Sequence, residues 1–489
     1  MTDLATRVTP SRTPLPRRAA PALLGYVAVR ALGLVVLAGW SAARGKSAHT
    51  LLTARWDSLW YARVAGPGYG YEVRLPNGDV HSDLAFFPLL PWLERLLHAV
   101  APLSYGDAGL VVSVLASLAA AAGIFAVADH VYGRRTGVCA VLLWAVLPVG
   151  IVQSMAYSES LFTALAAWSL YAVLTGRWVS AGVLAALAGL TRPVGLAVVA
   201  AVWVAGAISF VRYRSARDAR GAYDGGRAPD PADEERAGRS AHTGSADGSA
   251  HAPSASGGAS VTARASVSPG GANVGTRAPS RPIPPPRSPA SPASPPSPAS
   301  PSSLSSPSSL SSPSSLSSPP PLRSLPALLA GLLIAPSGAA GYVLWVGHRT
   351  GKGPLGYLDV QAGWRNGFDG GYAFARFVAD KFTSFPSALA GAGLIIGVAL
   401  LIRLYVAGVR RRQPVALLVY TGVVLALALC ASSYFGSKPR LLMPAFPVLF
   451  PLAQALARTR TSRAVLVTAG VAAASAAYGA FWLNGSGPP

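Results

Sequence analysis

Charge is what this sequence is short of. Asp, Glu, Lys and Arg together make up 12% of the chain, about half of the ~25% usual in a soluble globular protein. A chain so poor in charge and 51% hydrophobic cannot cover itself in water, so lipid must be part of its solvent. Acid is scarcer still, with 19 Asp+Glu against 41 Lys+Arg. In a soluble protein that imbalance would point to nucleic acid. Here the arginines cluster at the ends of apolar segments, which fits the positive-inside rule, and no nucleic-acid partner is expected. Cysteine is nearly absent. Cys139 and Cys430 each lie inside an apolar stretch, which excludes a disulfide framework and CxxC zinc spacing. Seven His are scattered without metal-ligand spacing, so no structural metal is expected. No Walker-type or GxGxxG loop stands between a strand and a helix, which excludes the usual nucleotide-phosphate cradles.

Long apolar runs are what the chain does have. A helix needs about 20 mostly apolar residues to cross the hydrocarbon core. Eleven segments qualify as candidates: 21–40, 108–131, 137–153, 160–175, 178–191, 193–211, 325–346, 386–407, 414–433, 441–457 and 464–483. The expected fold class is an all-α polytopic membrane protein of about 11 transmembrane helices (10–12). Arg17 and Arg18 precede the first segment. Its length and Trp40 make it an anchor rather than a cleaved signal. Arginines also mark residues 134–135, 177, 212–220, 410–412 and 458–463. With eleven spans all these clusters fall on the cytoplasmic side, together with residues 1–20 as a cytoplasmic tail. The C-terminal tail, 484–489, then lies outside. The expected location is the plasma membrane. Residues 213–324 are a different material, rich in Ser, Pro, Ala, Gly and Arg, and run into "SPSSLSSPSSLSSPSSLSSPPP". Such a segment cannot bury enough apolar surface to offset its ordering entropy. It is expected to be a disordered cytoplasmic insert between spans 1–6 (21–212) and spans 7–11 (325–483).

The remaining polar residues gather in the outer turns. The first outer loop, 41–107, contains "ARWDSLWYARVAGPGYGYE" and "HSDLAFFPLLPWL". Its aromatics suit a membrane interface, and short surface helices are expected there. The later turns carry Glu159 in "QSMAYSESL", Arg192 in "LTRPVG", Gln361, Trp364 and Arg365 in "VQAGWRNG", and Lys438 and Arg440 in "YFGSKPRLLMPAFPVLFP". Ionisable residues near membrane depth are costly and usually functional.

At these residues the chain resembles a known family. "WDSLWYARVAGPGY" followed by "AFFPLLPWL" resembles the Trp-Asp-Ser and Ala-Phe-Phe-Pro pattern of the PIG-V mannosyltransferases. "AYSESLFTALAAWSLYAV" with "LAALAGLTRPVGL" resembles that family's Ala-Tyr-Ser-Glu-Ser and Thr-Arg blocks, and "SKPRLLMPAFPVLFPLAQAL" its Arg and Phe-Pro segment. The blocks occur in the family's order over roughly residues 50–460, apart from the insert. Pro193 after Arg192 departs from the Ser-Asn of better-known members, and the insert lies outside the pattern. The Ala/Gly/Arg/Pro-heavy composition looks bacterial. The resemblance implies a GT-C type fold with an outer-face active site. It also implies a polyprenyl- or dolichyl-phosphate-linked mannose donor, and inversion at the anomeric carbon.

On that resemblance each residue has a functional reading beside a plainer one. Asp57 is the expected catalytic base, or else a helix N-cap or a partner of Arg55. Glu159 would orient an acceptor hydroxyl or pair with Arg192, or else cap a helix. Arg192 would contact the carrier phosphate, or else serve a hinge with Pro193 opening the next helix. Lys438 and Arg440 form the rival phosphate site, or are ordinary interfacial charges. Gln361 and Trp364, with Arg365, would touch sugar or acceptor; Asp83 and His81 are weaker candidates. No cofactor is required, because the donor substrate is a lipid-phosphate sugar, although a divalent ion at Asp57 stays open. Expected partners are membrane lipids, the polyprenyl-phosphate sugar and a lipid or glycan acceptor. The competing functions are a transporter or flippase of a lipid-linked or polar substrate, and a scaffold working through the insert.

Overall fold

The computed structural model describes residues 14–225, 325–432 and 434–485. The chain divides into two units, Met1–Gly221 with Ser317–Pro489, and Ala222–Leu316. The first is the helical body; of the second, only the end of one helix is described.

Apolar composition builds this body almost entirely from helices. It opens on α1 (Leu15–Ala43), followed by α2 (Ala48–Thr53), α3 (Asp57–Ala65), the hairpin β1 (Glu72–Arg74) and β2 (Val80–Ser82), and α4 (Leu89–Val100). Next come α5 (Tyr105–Tyr132), α6 (Arg134–Ala145), α7 (Ser158–Leu174), α8 (Trp178–Gly189) and α9 (Leu196–Gly225). The second half holds α10 (Leu325–Ile334), α11 (Ser337–Thr350), α12 (Gly356–Gly363) and α13 (Tyr372–Asp380), with β3 (Gly367–Phe368) between the last two. It ends with α14 (Phe385–Arg410), α15 (Val415–Cys430), β4 (Ala431–Ser432), α16 (Lys438–Leu442), α17 (Phe450–Arg458) and α18 (Thr461–Leu483). Large apolar side chains such as Leu24, Leu333, Ile396 and Leu466 are exposed on the outside of the bundle. That exposure is costly in water and natural against lipid. The chain is an all-α polytopic membrane protein.

All eleven expected segments are helical, but they differ in length. Among the described residues six helices are long and apolar enough to cross a membrane, or seven if one bent pair counts as a span. That pair, Phe435–Leu442 with Phe446–Arg458, bends by 73°. Pro444 and Pro447 lie at the bend, where the missing N–H groups and ring clashes end the first helix. The expected segments 160–175, 178–191 and 414–433 exist as shorter apolar helices, α7, α8 and α15. Segment 137–153 becomes α6 followed by a 3-10 turn, Gly150–Ser154. Each buries part of its surface against neighbouring helices, and hydropathy cannot tell an apolar run facing lipid from one facing neighbouring helices. Gly182 and Gly331 bring the backbones of α8 and α10 so close that a Cβ on either would collide with the other chain segment.

Two boundaries also move. α1 begins six residues before the expected span, inside the expected N-terminal tail. α9 runs to Gly225, so residues 213–225 of the expected insert are helical. Ala and Arg in "RYRSARDARGA" are good helix formers and prolong a helix already nucleated. The rest of the insert, 226–324, lies outside the described residues.

Broken helices at membrane depth leave carbonyls without partners, and these need satisfying from within the protein. Arg30 does this halfway along α1. Its guanidinium donates to the carbonyls of Ala145 and Gly150, on either side of the break after α6. Tyr26, one turn earlier, stacks on buried Trp144 with ring centroids 5.6 Å apart.

Polar contacts also sort the segments between two ends. At one end Arg18 pairs with Asp129, Arg135 donates to the Thr459 carbonyl and Arg411 to Gln454. At the other, Lys46 donates to the Asn484 carbonyl and Asn484 to Ser41. The arginines that flank α1, α5, α14 and α17 therefore share the first end, and the loops after α1 and α18 share the second.

Hydrogen bonds from a charged donor contribute roughly 1.5–3 kcal/mol each. Arg30→Met should therefore lower the thermal unfolding midpoint of the purified protein markedly, whereas Arg44→Met on the exposed end of α1 should leave it nearly unchanged.

Candidate active site

At the second end four charged side chains from four distant segments meet. Asp57 opens α3, Glu159 lies in the first turn of α7, Arg192 follows α8, and Arg440 lies in α16. Arg440 Nη1 donates to Asp57 Oδ2 at 2.6 Å and stands 3.5 Å from Glu159 Oε1. Arg192 Nη1 pairs with the same Glu159 oxygen and reaches the Ser158 hydroxyl at 3.4 Å. The result is a chain of alternating charge, Arg192–Glu159–Arg440–Asp57, with no net charge. Glu159 is 1% exposed, Arg440 11%, Arg192 12% and Asp57 22%. Asp57 is thus its open edge and Glu159 its floor. Glu159 Oε2 and Arg440 Nε have no hydrogen-bond partner, so the buried cluster keeps unspent polar capacity.

Local backbone features aim each member. Trp56, just before Asp57, holds φ 51° and ψ −117°. A bulky residue in that region costs about 1–3 kcal/mol and persists only when its surroundings impose it. Its ring lies against Trp482 and under the Arg55 guanidinium. Asp57 makes no side-chain cap to its own helix. Arg55 turns instead to the Gly485 carbonyl. The carboxylate is thereby left to Arg440. Arg192 sits in extended backbone between α8 and the 3-10 turn Pro193–Gly195, with Pro193 at the first position as its fixed φ favours. Glycine at 195 is required there, since a Cβ would fall 2.6 Å from the Gly189 Cα. Arg440 is delivered by the first arm of the bent pair.

Three neighbours were not expected as site residues. The Tyr157 ring lies 5.2 Å beneath the Arg440 guanidinium, and its hydroxyl accepts from the Asp57 amide at 3.3 Å. Tyr61 shares a 2.7 Å hydrogen bond with Ser158. The available signals were helical spacing, Tyr61 being four residues after Asp57 on one face, and adjacency, Tyr157 and Ser158 directly preceding Glu159.

Of the other expected site residues, Trp364 joins a wall beside the cluster. It stacks on His81 at 4.0 Å, meets the edge of Trp60 at 5.0 Å, and donates to the Ser82 carbonyl. Trp60 lies one turn after Asp57 and stacks on Phe86. Gln361 donates to Tyr357 and accepts from Asn366, so its amide is engaged within its own loop. Arg365 pairs with Asp79 at 2.6 Å. His81 is pushed below the usual histidine range by desolvation, which outweighs the pull of Asp79. Asp83 is fully buried and accepts from the Gly70 and Tyr71 amides, holding the loop before β1 in place. Desolvation raises its carboxyl despite those bonds. Lys438 is not brought to the cluster. Its ammonium donates to the carbonyls of Ala428 and Ala431 at the end of α15, which that helix leaves open. Among the described residues no group of three or more His, Cys, Asp or Glu is arranged to hold a metal ion.

Residues 83–220 match the family model of the dolichyl-phosphate-mannose-protein mannosyltransferases. The match covers less than a third of the chain and includes Glu159 and Arg192. No curated protein and no solved structure matches the chain. With the helical membrane architecture, the match is consistent with the GT-C type, and it supports mannosyl transfer at the level of the family.

Glu94, in α4, is fully buried with neither carboxyl oxygen hydrogen-bonded. It occupies the space that Gly109 leaves open, beside Ala156. Desolvation raises its carboxyl well above the usual range. The folded chain therefore holds this proton more tightly than the unfolded chain does. The associated stability is full below the ordinary glutamate range and is lost as pH rises towards the elevated folded value. Glu94→Gln should keep more of its thermal stability than the wild type as pH rises above the ordinary glutamate range, and equal losses would show that Glu94 is not the group responsible.

Proposed function

We propose that the chain transfers mannose from a polyprenyl-phosphate-linked donor to a hydroxyl of a lipid or glycan acceptor, with inversion. The observation that carries this reading is the convergence of Asp57, Glu159, Arg192 and Arg440 at one end of the bundle. The acceptor O–H attacks the anomeric carbon while Asp57 takes the proton as general base. The bond from that carbon to the phosphate oxygen breaks, and its electron pair stays on the phosphate. Arg192 and Arg440 stabilise the charge that develops there. Glu159 holds both guanidinium groups in position. The aromatic wall of Trp60, Phe86 and Trp364 borders the site and suits the apolar faces of a sugar or isoprenoid chain. The leaving group is already a phosphate ester and its countercharges are supplied by arginine, so the reaction calls for no cofactor.

The arginine-rich end faces the cytoplasm in this reading, and the cluster faces outward at the plasma membrane. A PIG-V-like identity and a bacterial source belong to the same reading. Each of the sequence blocks that resemble that family supplies one member of the cluster. A transporter would place its charged residues near the midplane, between paired halves. The position of this cluster at one end favours an enzyme.

Purified full-length protein, given polyprenyl-phosphate mannose and a membrane lipid extract, should form a labelled glycosylated product. Asp57→Asn should lower the rate on the order of 10²–10⁴-fold while the protein is still expressed and folded. Absence of transfer from any polyprenyl-phosphate sugar would overturn the assignment.

A further inference from the structure

Both arginines of the cluster are already taken by protein anions. A donor phosphate that binds either arginine competes with the carboxylate already paired to it. The geometry says which one gives way. Glu159 is 1% exposed and touches both guanidinium groups, so removing it would strand two buried charges. Asp57 is 22% exposed at the open edge and is held by Arg440 alone. Arg440 also keeps its Nε without a partner, so it has a donor to spare for a second anion.

We infer that Asp57 is an internal stand-in for the donor's phosphate, and that Arg440 is handed from the carboxylate to the phosphate as the reaction proceeds. This rests on the glycosyl-transfer reading above. The handover balances in charge. The acceptor proton neutralises Asp57, the breaking bond leaves its electron pair on the phosphate oxygen, and one unit of negative charge has moved from carboxylate to phosphate. Arg440 stands where either can hold it. Before the reaction Asp57 competes with the phosphate for Arg440; after it, a neutral Asp57 competes no longer. The base is thus masked until a donor claims its counterion, which sets the binding order as donor first and acceptor second.

A base that merely sits near a phosphate site would leave lipid-phosphate affinity unchanged when neutralised. A base that competes for the same arginine would increase it. The test measures binding of polyprenyl phosphate, the leaving group, to the full-length chain in lipid nanodiscs, with polyprenol as the probe lacking phosphate. Asp57→Asn should bind polyprenyl phosphate about tenfold more tightly than wild type, although it has lost transfer. The double variant Asp57→Asn/Arg440→Gln should lose that gain, and polyprenol should bind all three chains alike. Asp57→Ser provides a second neutral variant if the first unfolds at lower temperature. Unchanged or weaker binding by both neutral variants, with measurable wild-type binding, would overturn the handover alone. Failure of every chain to distinguish polyprenyl phosphate from polyprenol would overturn the glycosyl-transfer reading as well.

Discussion

The buried carboxylate that serves two arginines, Glu159, is the constraint from which the candidate site follows. A carboxylate with 1% exposure is costly unless it is paired. Arg192 and Arg440 supply that pairing from residues far apart in sequence. Once both guanidinium groups are drawn to one floor, Asp57 becomes the natural partner for the outer side of Arg440. Removing one member of such a buried pair typically costs 3–5 kcal/mol, so the cluster holds α3, α7, α16 and the turn after α8 in one arrangement. The strain at Trp56 and the bend between α16 and α17 are tolerated because that arrangement compensates for them.

The fold supplies what such a cluster needs. Long apolar helices pack with shorter ones, and the broken backbone between them is satisfied by groups such as Arg30. Short helices can end inside the bundle, which places their polar termini at chosen depths. α7 begins at Ser158 and α8 ends at Gly189, and this is why Glu159 and Arg192 meet. The loop carrying β1 and β2 and the loop carrying α12 then close over the same end, bringing Trp364 against His81 and Trp60.

Helical class and most helix positions were legible in the sequence, because apolar runs and arginine clusters are one-dimensional signals. How each apolar run packs was not. Segment 178–191 reads as apolar all round whether its neighbours are lipid or helices, and only packing distinguishes them. The meeting of Asp57, Glu159, Arg192 and Arg440 was suggested by residue type and placement in outer turns. The choice between Lys438 and Arg440 was beyond sequence, since both are basic and lie two residues apart in one short helix. Residues at that spacing point to different sides, and Lys438 is spent on the open carbonyls of α15. Glu94 and Arg30 were also hidden. Glu94 lies in a short helix, α4, inside a stretch of mixed charge, and Arg30 falls inside a segment whose mean character is apolar.

The central claim is that Asp57 and Arg440 are energetically coupled across the fold. A double-mutant cycle on thermal stability, with Asp57→Asn, Arg440→Gln and the pair, measures this directly. The account predicts a coupling of about 1 kcal/mol or more, with the double variant more stable than the sum of the single effects. Strictly additive effects would contradict it.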